Sequence, residues 1–331
     1  MTSDQNLSTE LIKITGLKKY FPIRKGFMQR VIGDVKAVDG VSLTIPKGET
    51  LGLVGESGCG KSTLGRTLVG LYEPTHGAIY FKGHAIADRK RKRPKHIKKQ
   101  MQMIFQDPFS SMNPGLRIRT IVAEPLIVHE KLKKKDLRDR VAFLLQQVGL
   151  KPDCMDRYPH EFSGGQRQRI AVARSLALNP EFIVCDEPVS SLDVSIQAQI
   201  INLLNRLQDQ NDLTYLFISH DLSVVRHISD RIAVMYLGKV IELADRHAIY
   251  ENALHPYTKS LLNAIPLPDP IAERNREKIE LTGDIPSPST PPAGCRFHTR
   301  CPDFQCGICD VQEPELCEIT PGHWVACHCL D

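Results

Sequence analysis

TLGLVGESGCGKSTLGRTLVGL, residues 50–71, is the stretch from which the rest of the chain can be read. It opens as a short apolar strand and turns at Gly55; a helix is then expected from Lys61 to about Leu71. Between strand and helix, residues 55–62 spell GESGCGKS and match GxxxxGK[ST] in the setting that this motif requires. Gly55, Ser57, Gly58, Cys59 and Gly60 form a turn whose backbone N–H groups can face inward around phosphate oxygens, aided by the positive end of the following helix. Lys61 is expected to reach the β and γ phosphates of a nucleotide, the Ser62 hydroxyl to bind Mg2+, and Thr63 to lie near the α phosphate. The strand–turn–helix frame argues against a glycine-rich turn that holds no ligand.

Working outward, LIKITGL at 11–17 and VKAVDGVSLTI at 35–45 are strand-like, and buried strands are suggested by QMQMIFQ at 100–106, FIVCD at 182–186, YLFIS at 215–219 and RIAVMY at 231–236. Helical segments separate the later ones, which indicates an α/β core with a largely parallel sheet. The FIVCDE segment sets Asp186 and Glu187 at the C-terminal end of a buried strand, where ligands of such sheets bind. Asp186 is expected to hold the Mg2+ shell, and Glu187 to polarise the water that attacks the γ phosphate. Ile196, Ile200, Leu203, Leu204 and Leu207 share one face of a helix that starts after Asp193. Residues 107–162 carry helices around 118–127 and 136–149 but no strand, so they read as an inserted helical subdomain.

These two motifs occur in many NTPases; FSGGQRQR at 162–169 narrows the choice. Ser163 caps a helix bearing Ile170, Val172, Ala173 and Leu176, and with Gly164 and Gly165 it offers a hydroxyl and free N–H groups to an anion. The segment resembles the LSGGQ signature of ABC ATPases, with Phe162 in place of the leucine. The resemblance implies a P-loop ABC ATPase cassette that uses ATP and Mg2+. It assigns Gln106, in FQDP, to the glutamine-bearing loop; residues 190–193, ending in Asp193, to the D-loop; and His220, in FISHD, to the switch histidine. Tyr20, with Phe21 as the alternative, fits the aromatic that stacks on adenine. It further implies that Ser163, Gly164, Gly165 and Gln166 complete the nucleotide site of a second cassette, so that an isolated chain lacks a full catalytic site. Gln106 would link Mg2+ and the attacking water to the helical subdomain, which in transporters receives a helix from the membrane subunit. His220 would contact the γ phosphate and keep Glu187 and the water in line.

Resemblance then extends over nearly the whole chain. GESGCGKSTLGR, MIFQDPFSSMNP, RYPHEFSGGQ and DEPVSSLDVSIQAQI look like the oligopeptide and dipeptide importer ATPases, as do HPYT at 255–258, PLPDP at 266–270 and GDIPSPSTPPAGCRFHTRCP at 283–302. The PDP and PSP segments look most like the F-type subunit, which is usually paired with a D-type ATPase. The implied partners are therefore that second ATPase, two transmembrane permease subunits and, indirectly, an extracytoplasmic solute-binding protein. Peptide is the expected cargo, although the same branch includes importers of nickel and short glycans. A soluble ABC protein of translation or repair is disfavoured, because only one cassette is present and about 100 residues separate the phosphate loop from the signature. The expected division is a cassette over 1–265, with its helical subdomain at about 107–162, and a small irregular cysteine-rich extension over 266–331 that opens with a proline-interrupted linker.

Composition limits the setting. No run of about 18 uncharged apolar residues occurs, and the polar start MTSDQNLSTE is unlike a secretory signal. Together with the resemblance, this places the chain at the cytoplasmic face of the cell membrane, held through its permease partners. The net charge of +5 is small, and the basic stretch from Arg89 to Gln100 lacks interleaved aromatics and is broken by Pro94. It reads as a solvated surface, and no nucleic acid is expected.

Seven of the ten cysteines crowd the last 37 residues. Without an export signal, such a group points to a metal or cluster rather than to disulfides. Cys295, Cys301, Cys309 and Cys327 match the places where peptide-importer ATPases with [4Fe-4S] clusters carry their ligands. The gap from Cys301 to Cys309 departs from the family spacing by one residue, and Cys317 is the alternative fourth ligand. Zinc is the chemical rival, since His298, His323 and His328 lie close by in sequence. With few apolar residues and many prolines, the extension is expected to depend on its bound cluster for order.

Overall fold

The computed structural model describes residues 10–27, 29–88, 93–130, 132–266, 274, 281 and 283–330. The chain begins with two long strands, β1 (Glu10–Lys25) and β2 (Arg30–Pro46), then β3 (Thr50–Val54), α1 (Lys61–Val69), β4 (His76–Phe81), β5 (His84–Asp88), α2 (Lys95–Gln100) and β6 (Met101–Ile104). Three helices follow: α3 (Ile118–His129), α4 (Lys134–Gln147) and α5 (Gly164–Leu176). Strand and helix then alternate through β7 (Phe182–Asp186), α6 (Val194–Asn211), β8 (Thr214–Ile218), α7 (Leu222–Ile228) and β9 (Arg231–Tyr236). The last elements are β10 (Lys239–Asp245), α8 (Arg246–Asn252), α9 (Pro256–Asn263), β11 (Cys317–Thr320) and β12 (His323–Val325).

The apolar runs of β3, β7 and β8 are buried at every residue, as strands covered on both faces must be. They lie inside an eight-stranded sheet of order β11-β12-β10-β9-β3-β8-β7-β6, parallel from β9 to β6 and antiparallel through β10, β12 and β11. A second, antiparallel sheet has the order β2-β1-β4-β5. Helix α1 is sandwiched between the two sheets: Leu64 and Leu68 share a core with Ile12, Ile45 and Phe81 on one side and Leu53, Val184 and Ile218 on the other. Helices α3 to α7 cover the opposite face, where Phe217, Ile183, Leu204 and Val225 belong to the second core. Full burial of each such side chain is worth about 1.5–3 kcal/mol.

One boundary shifts. Helix α1 stops at Val69 because Gly70 adopts φ 83° and sends its N–H back to the carbonyls of Arg66 and Thr67. The β4–β5 hairpin was not legible as strands; its two-residue turn, Lys82-Gly83, has φ of 51° and 76°, the left-handed conformation that such tight turns need. Most of the proline linker expected after Leu267 lies outside the described residues, as do residues 1–9 and the first four of the basic stretch, 89–92.

The metal reading of the tail is corrected. Among the described residues no group of three or more His, Cys, Asp or Glu side chains stands where it could hold a metal ion. Neither a [4Fe-4S] cluster on Cys295, Cys301, Cys309 and Cys327, nor the variant with Cys317, nor zinc survives that finding. All ten cysteines are free thiols. Cys317 lies exposed on β11 and Cys309 is buried, its carbonyl accepting from Cys295 N at 2.7 Å. The rings of His298, His323 and His328 are engaged elsewhere, with Cys295 O at 2.8 Å, Glu242 Oε1 at 2.7 Å and Gln312 O at 2.9 Å.

The tail is ordered by other means. Phe297, 1% exposed, meets Tyr236 and Tyr257 edge-on at 5.3 Å between ring centres. Strand β12 pairs with β10 through Glu242↔Val325 and Leu243↔Trp324. Phe297 belongs to the core on the face that α3 to α7 cover, and the partly buried Cys295 and Cys301 pack against that core.

His255 ends this system on the cassette side. It caps α9, its Nδ1 accepting from Tyr257 N at 3.1 Å, and burial pushes its imidazole down to about 3. A histidine kept neutral in the fold but free to titrate near 6.5 when unfolded makes the unfolded chain bind more protons between those values. Its contribution is therefore whole above about pH 6.5 and is lost as the pH falls towards 3. His255→Asn keeps a capping acceptor without the titration. Urea unfolding is expected to show about 2 kcal/mol less loss of stability between pH 7.5 and 5 in this variant; an unchanged loss would exclude His255 as its source.

Candidate functional site

The turn after β3 is shaped by a neighbouring backbone. Gly60 has φ 109°, and a Cβ there would lie 2.0 Å from the carbonyl oxygen of Ala37 on β2. Within this turn Lys61 is 4% exposed and curls back, its Nζ donating to Gly55 O at 2.6 Å and Glu56 O at 2.9 Å, with Cys59 Sγ at 3.6 Å. Ser57 and Gly58 are exposed at the tip. The ammonium therefore stands at the N-terminal end of α1, where the helix favours negative charge.

Beside it, Ser62 Oγ donates to Asp186 Oδ1 at 2.6 Å, and Arg66 Nη2 lies 3.4 Å from Asp186 Oδ2. Asp186 is wholly buried at the end of β7. Burial pushes its carboxyl up, against the lowering pull of the Ser62 hydroxyl and the Arg66 guanidinium. The hydroxyl and carboxylate are hard oxygen donors of the kind that Mg2+ takes. Thr63 lies in the first turn of α1, its carbonyl accepting from Thr67 Oγ1 at 2.7 Å.

Glu187 follows directly and bends out of the strand with φ 46°, a left-handed conformation that costs a non-glycine residue on the order of 1–3 kcal/mol. Its N–H donates to Ile218 O at 3.0 Å. One carboxylate oxygen, Oε2, accepts from Gln106 Nε2 at 3.0 Å and lies 3.1 Å from His220 Nδ1. Residues from the ends of β6, β7 and β8 thus meet at a single oxygen. Gln106 and His220 are exposed, whereas the Glu187 side chain is only 13% exposed.

The remaining expected residues lie apart. Ser163 caps α5, accepting from Gln166 N at 3.4 Å, while Ser163 N donates to Gln166 Oε1 at 3.1 Å, a reciprocal capping box. Ser163, Gly164 and Gln166 are exposed, Gly165 half-buried, and among the described residues no hydrogen bond joins them to residues 55–63. Asp193 is exposed at the start of α6, its carbonyl accepting from Ile196 N and Gln197 N. Tyr20 is on β1, its hydroxyl bonded to Asp39. Phe21 packs edge-on against Tyr72 at 5.3 Å.

Some contacts at the loop escaped the sequence reading. Tyr257, in HPYT, receives Glu56 N on its hydroxyl at 2.9 Å, and Arg300 pairs with the Glu56 carboxylate. The aromatic in HPYT was visible as a helix start, but nothing local in the sequence tells where its hydroxyl goes.

Two family profiles match the chain: ABC transporter over residues 38–190, and oligopeptide/dipeptide transporter, C-terminal region, over residues 241–309. The oligopeptide transport ATP-binding protein AppF of Bacillus subtilis (strain 168) is 57% identical over 319 residues, covering 96% of this chain and 97% of that protein. The dipeptide transport ATP-binding protein DppF of Haemophilus influenzae is 48% identical over 331 residues, covering 100% of each. Among solved structures, the dimeric post-hydrolysis state of the ATP-binding cassette MJ0796, bound to ADP and Pi, aligns with a TM-score of 0.61 at 27% identity, covering 71% of this chain and 98% of that one.

The loop's geometry separates two glycines. Gly58, at φ 81°, faces open space, so Gly58→Ala carries only the cost of a positive φ, about 1 kcal/mol. Gly60→Ala adds a collision with the Ala37 carbonyl and is expected to cost at least about 2 kcal/mol more in urea unfolding. Equal losses for the two would contradict the close approach of β2.

Proposed function

Since the chain belongs to the ATP-binding subunits of oligopeptide and dipeptide ABC transporters, we propose that it hydrolyses ATP at Gly55, residues 57–63, Asp186 and Glu187 to drive the import of oligopeptides or dipeptides. The observation that carries this reading is the convergence of Gln106 and His220 on one oxygen of Glu187, beside the paired Ser62 and Asp186.

In this reading Lys61 and the backbone N–H groups of Gly55, Ser57, Gly58, Cys59 and Gly60 hold the phosphates. Thr63 lies by the α phosphate. Ser62, Asp186 and Gln106 hold Mg2+, which when bound offsets the charge that develops on the transferring phosphoryl group. Glu187 takes the role of base towards water, and the amide of Gln106 and the ring of His220 fix its carboxylate at a set angle. Tyr20 stacks on the adenine. The exposed Ser163, Gly164, Gly165 and Gln166, with Asp193, serve the site of a second cassette, which we take to be a D-type paralogue. ATP closes the two cassettes, and hydrolysis lets them part.

Two permease subunits complete the motor, and a solute-binding protein delivers the cargo. A cleft of about 800 Å3 beside Gln106, lined by Phe105, Asp107, Glu124, Val128 and Arg174, supports docking of a permease helix on the helical subdomain at about 107–162. No helix among the described residues is long and apolar enough to cross a membrane. The chain is accordingly taken to sit at the cytoplasmic face through its permeases, with the cassette over 1–265 and the extension over 266–331.

Binding and chemistry are separable in the assembled transporter. Glu187→Gln is expected to keep ATP affinity while lowering turnover at least about a hundredfold, whereas Lys61→Ala weakens nucleotide binding itself. Steady-state ATPase rates with nucleotide titrations read both, and near-normal turnover in Glu187→Gln would remove it from the role of base.

The isolated chain tests the shared site. Its ATPase rate is expected to rise more steeply than linearly with protein concentration; a linear dependence with full activity at high dilution would contradict action of Ser163 across a dimer.

A further inference from the structure

The phosphate loop is also gripped from outside. Glu56, its second residue, takes two hydrogen bonds on its carboxylate from Arg300 Nη1 at 2.8 Å and Nη2 at 3.1 Å. Its N–H is committed to the Tyr257 hydroxyl. Arg300 comes from the C-terminal extension, its side chain only 7% exposed against 24% for Glu56, and its guanidinium also lies 3.4 Å from the Tyr236 hydroxyl. Four residues earlier Arg296 bonds to Leu237 O and to Asp39, whose other oxygen holds the Tyr20 hydroxyl. Between the two arginines, Phe297 locks into Tyr236 and Tyr257.

This arrangement solves an electrostatic problem. A carboxylate in the loop stands close to where a polyanion must bind, and unpaired it would repel that ligand. A bidentate guanidinium cancels the charge and pins the carboxylate in one orientation. The pairing works in both directions, since a guanidinium as buried as that of Arg300 also needs an anion. Lysine at 300 would supply charge without the fork.

We propose that Arg300 is a positioning residue for ATP: by neutralising and orienting Glu56 it sets the affinity of the phosphate loop, so the extension governs nucleotide binding without touching the nucleotide. This rests on the reading of residues 55–62 as the ATP site. The extension is thereby part of the nucleotide machinery, and a displacement of Phe297 or Arg300 would be felt in the loop.

The test uses the assembled transporter, with steady-state ATPase measured against MgATP. Arg300→Met, which keeps the stem and removes the charge, is expected to raise KM for ATP about tenfold while kcat changes less than about twofold. Adding Glu56→Gln should bring KM back to within about threefold of the parent, because the repelling charge is gone. A purely structural role would lower kcat or thermal stability and would not be repaired by the second change. An unchanged KM in Arg300→Met, or no repair in the double variant, overturns the proposal. If Arg300→Met fails to assemble, Arg300→Lys decides, since it keeps the charge and loses the fork: a KM for ATP raised at least about threefold with kcat kept supports the proposal, and an unchanged KM overturns it. Lys61→Ala, run alongside, separates the two readings. Undiminished MgATP binding in that control would remove the ATP site itself, whereas lost binding there with a silent Arg300→Met removes only the role of Arg300.

Discussion

Parallel pairing of β3, β8 and β7 brings the ends of three strands to one edge of the sheet, with Leu53 beside Ile218 and Ile218 beside Asp186. Each strand then releases a different piece of chemistry at that edge: the phosphate loop after β3, Glu187 after β7 and His220 after β8. Crossover connections of this kind leave the loops on the same side of the sheet. The distances at Glu187 are therefore set by strand register before any side chain chooses a rotamer. Ser62 Oγ and Asp186 close the gap between α1 and β7 at 2.6 Å, tying the helix that follows the loop to the strand that carries the acids.

That edge also concentrates unfavourable terms. Lys61 and Asp186 are buried, Glu187 has a left-handed backbone, and burial raises Asp186 against its two partners. Each is tolerable because the surroundings over-determine it: two carbonyls for Lys61, a hydroxyl and a guanidinium for Asp186, and a backbone bond from Glu187 to β8. The strain lies in the residue read as the base, and its relief elsewhere is spread over several strands. A site made from contiguous motifs thus depends on packing far from those motifs.

What the sequence disclosed follows from the same physics. Wholly buried strands such as β7 and β8 read as unbroken apolar runs, and the loop motif is local, so its residues could be named with its neighbours. Strand β1 was harder, because its pairing with β2 slips at several points between Glu10 and Arg24 and its outer residues are half exposed. The contacts of Gln106 and His220 with Glu187 were approachable only through the family resemblance. Arg300 with Glu56, and Arg296 with Asp39, were beyond reach, since a charge pair spanning more than 200 residues leaves no periodic trace. The cysteines show the opposite error. Their number suggested a metal, but number says nothing of convergence, and the histidines near them in sequence, His298, His323 and His328, already have other partners.

Two strands of the tail, β11 and β12, extend the eight-stranded sheet. Without β12, the outer edge of β10 would present unpaired N–H and C=O groups, a surface that folded proteins cover or disrupt. Glu242 on β10 is wholly buried, and its carboxylate accepts from Leu254 N at 2.7 Å, His255 N at 3.1 Å and the His323 ring. Two of those donors start the segment that delivers Tyr257 to the phosphate loop, and the third belongs to the tail. A single buried carboxylate consequently joins the cassette's last helix to β12, and a buried carboxylate that loses one of its donors is costly. Glu242 thus hydrogen-bonds both the segment that leads to Tyr257 and the tail's His323, and Tyr257 in turn accepts from Glu56 N in the phosphate loop.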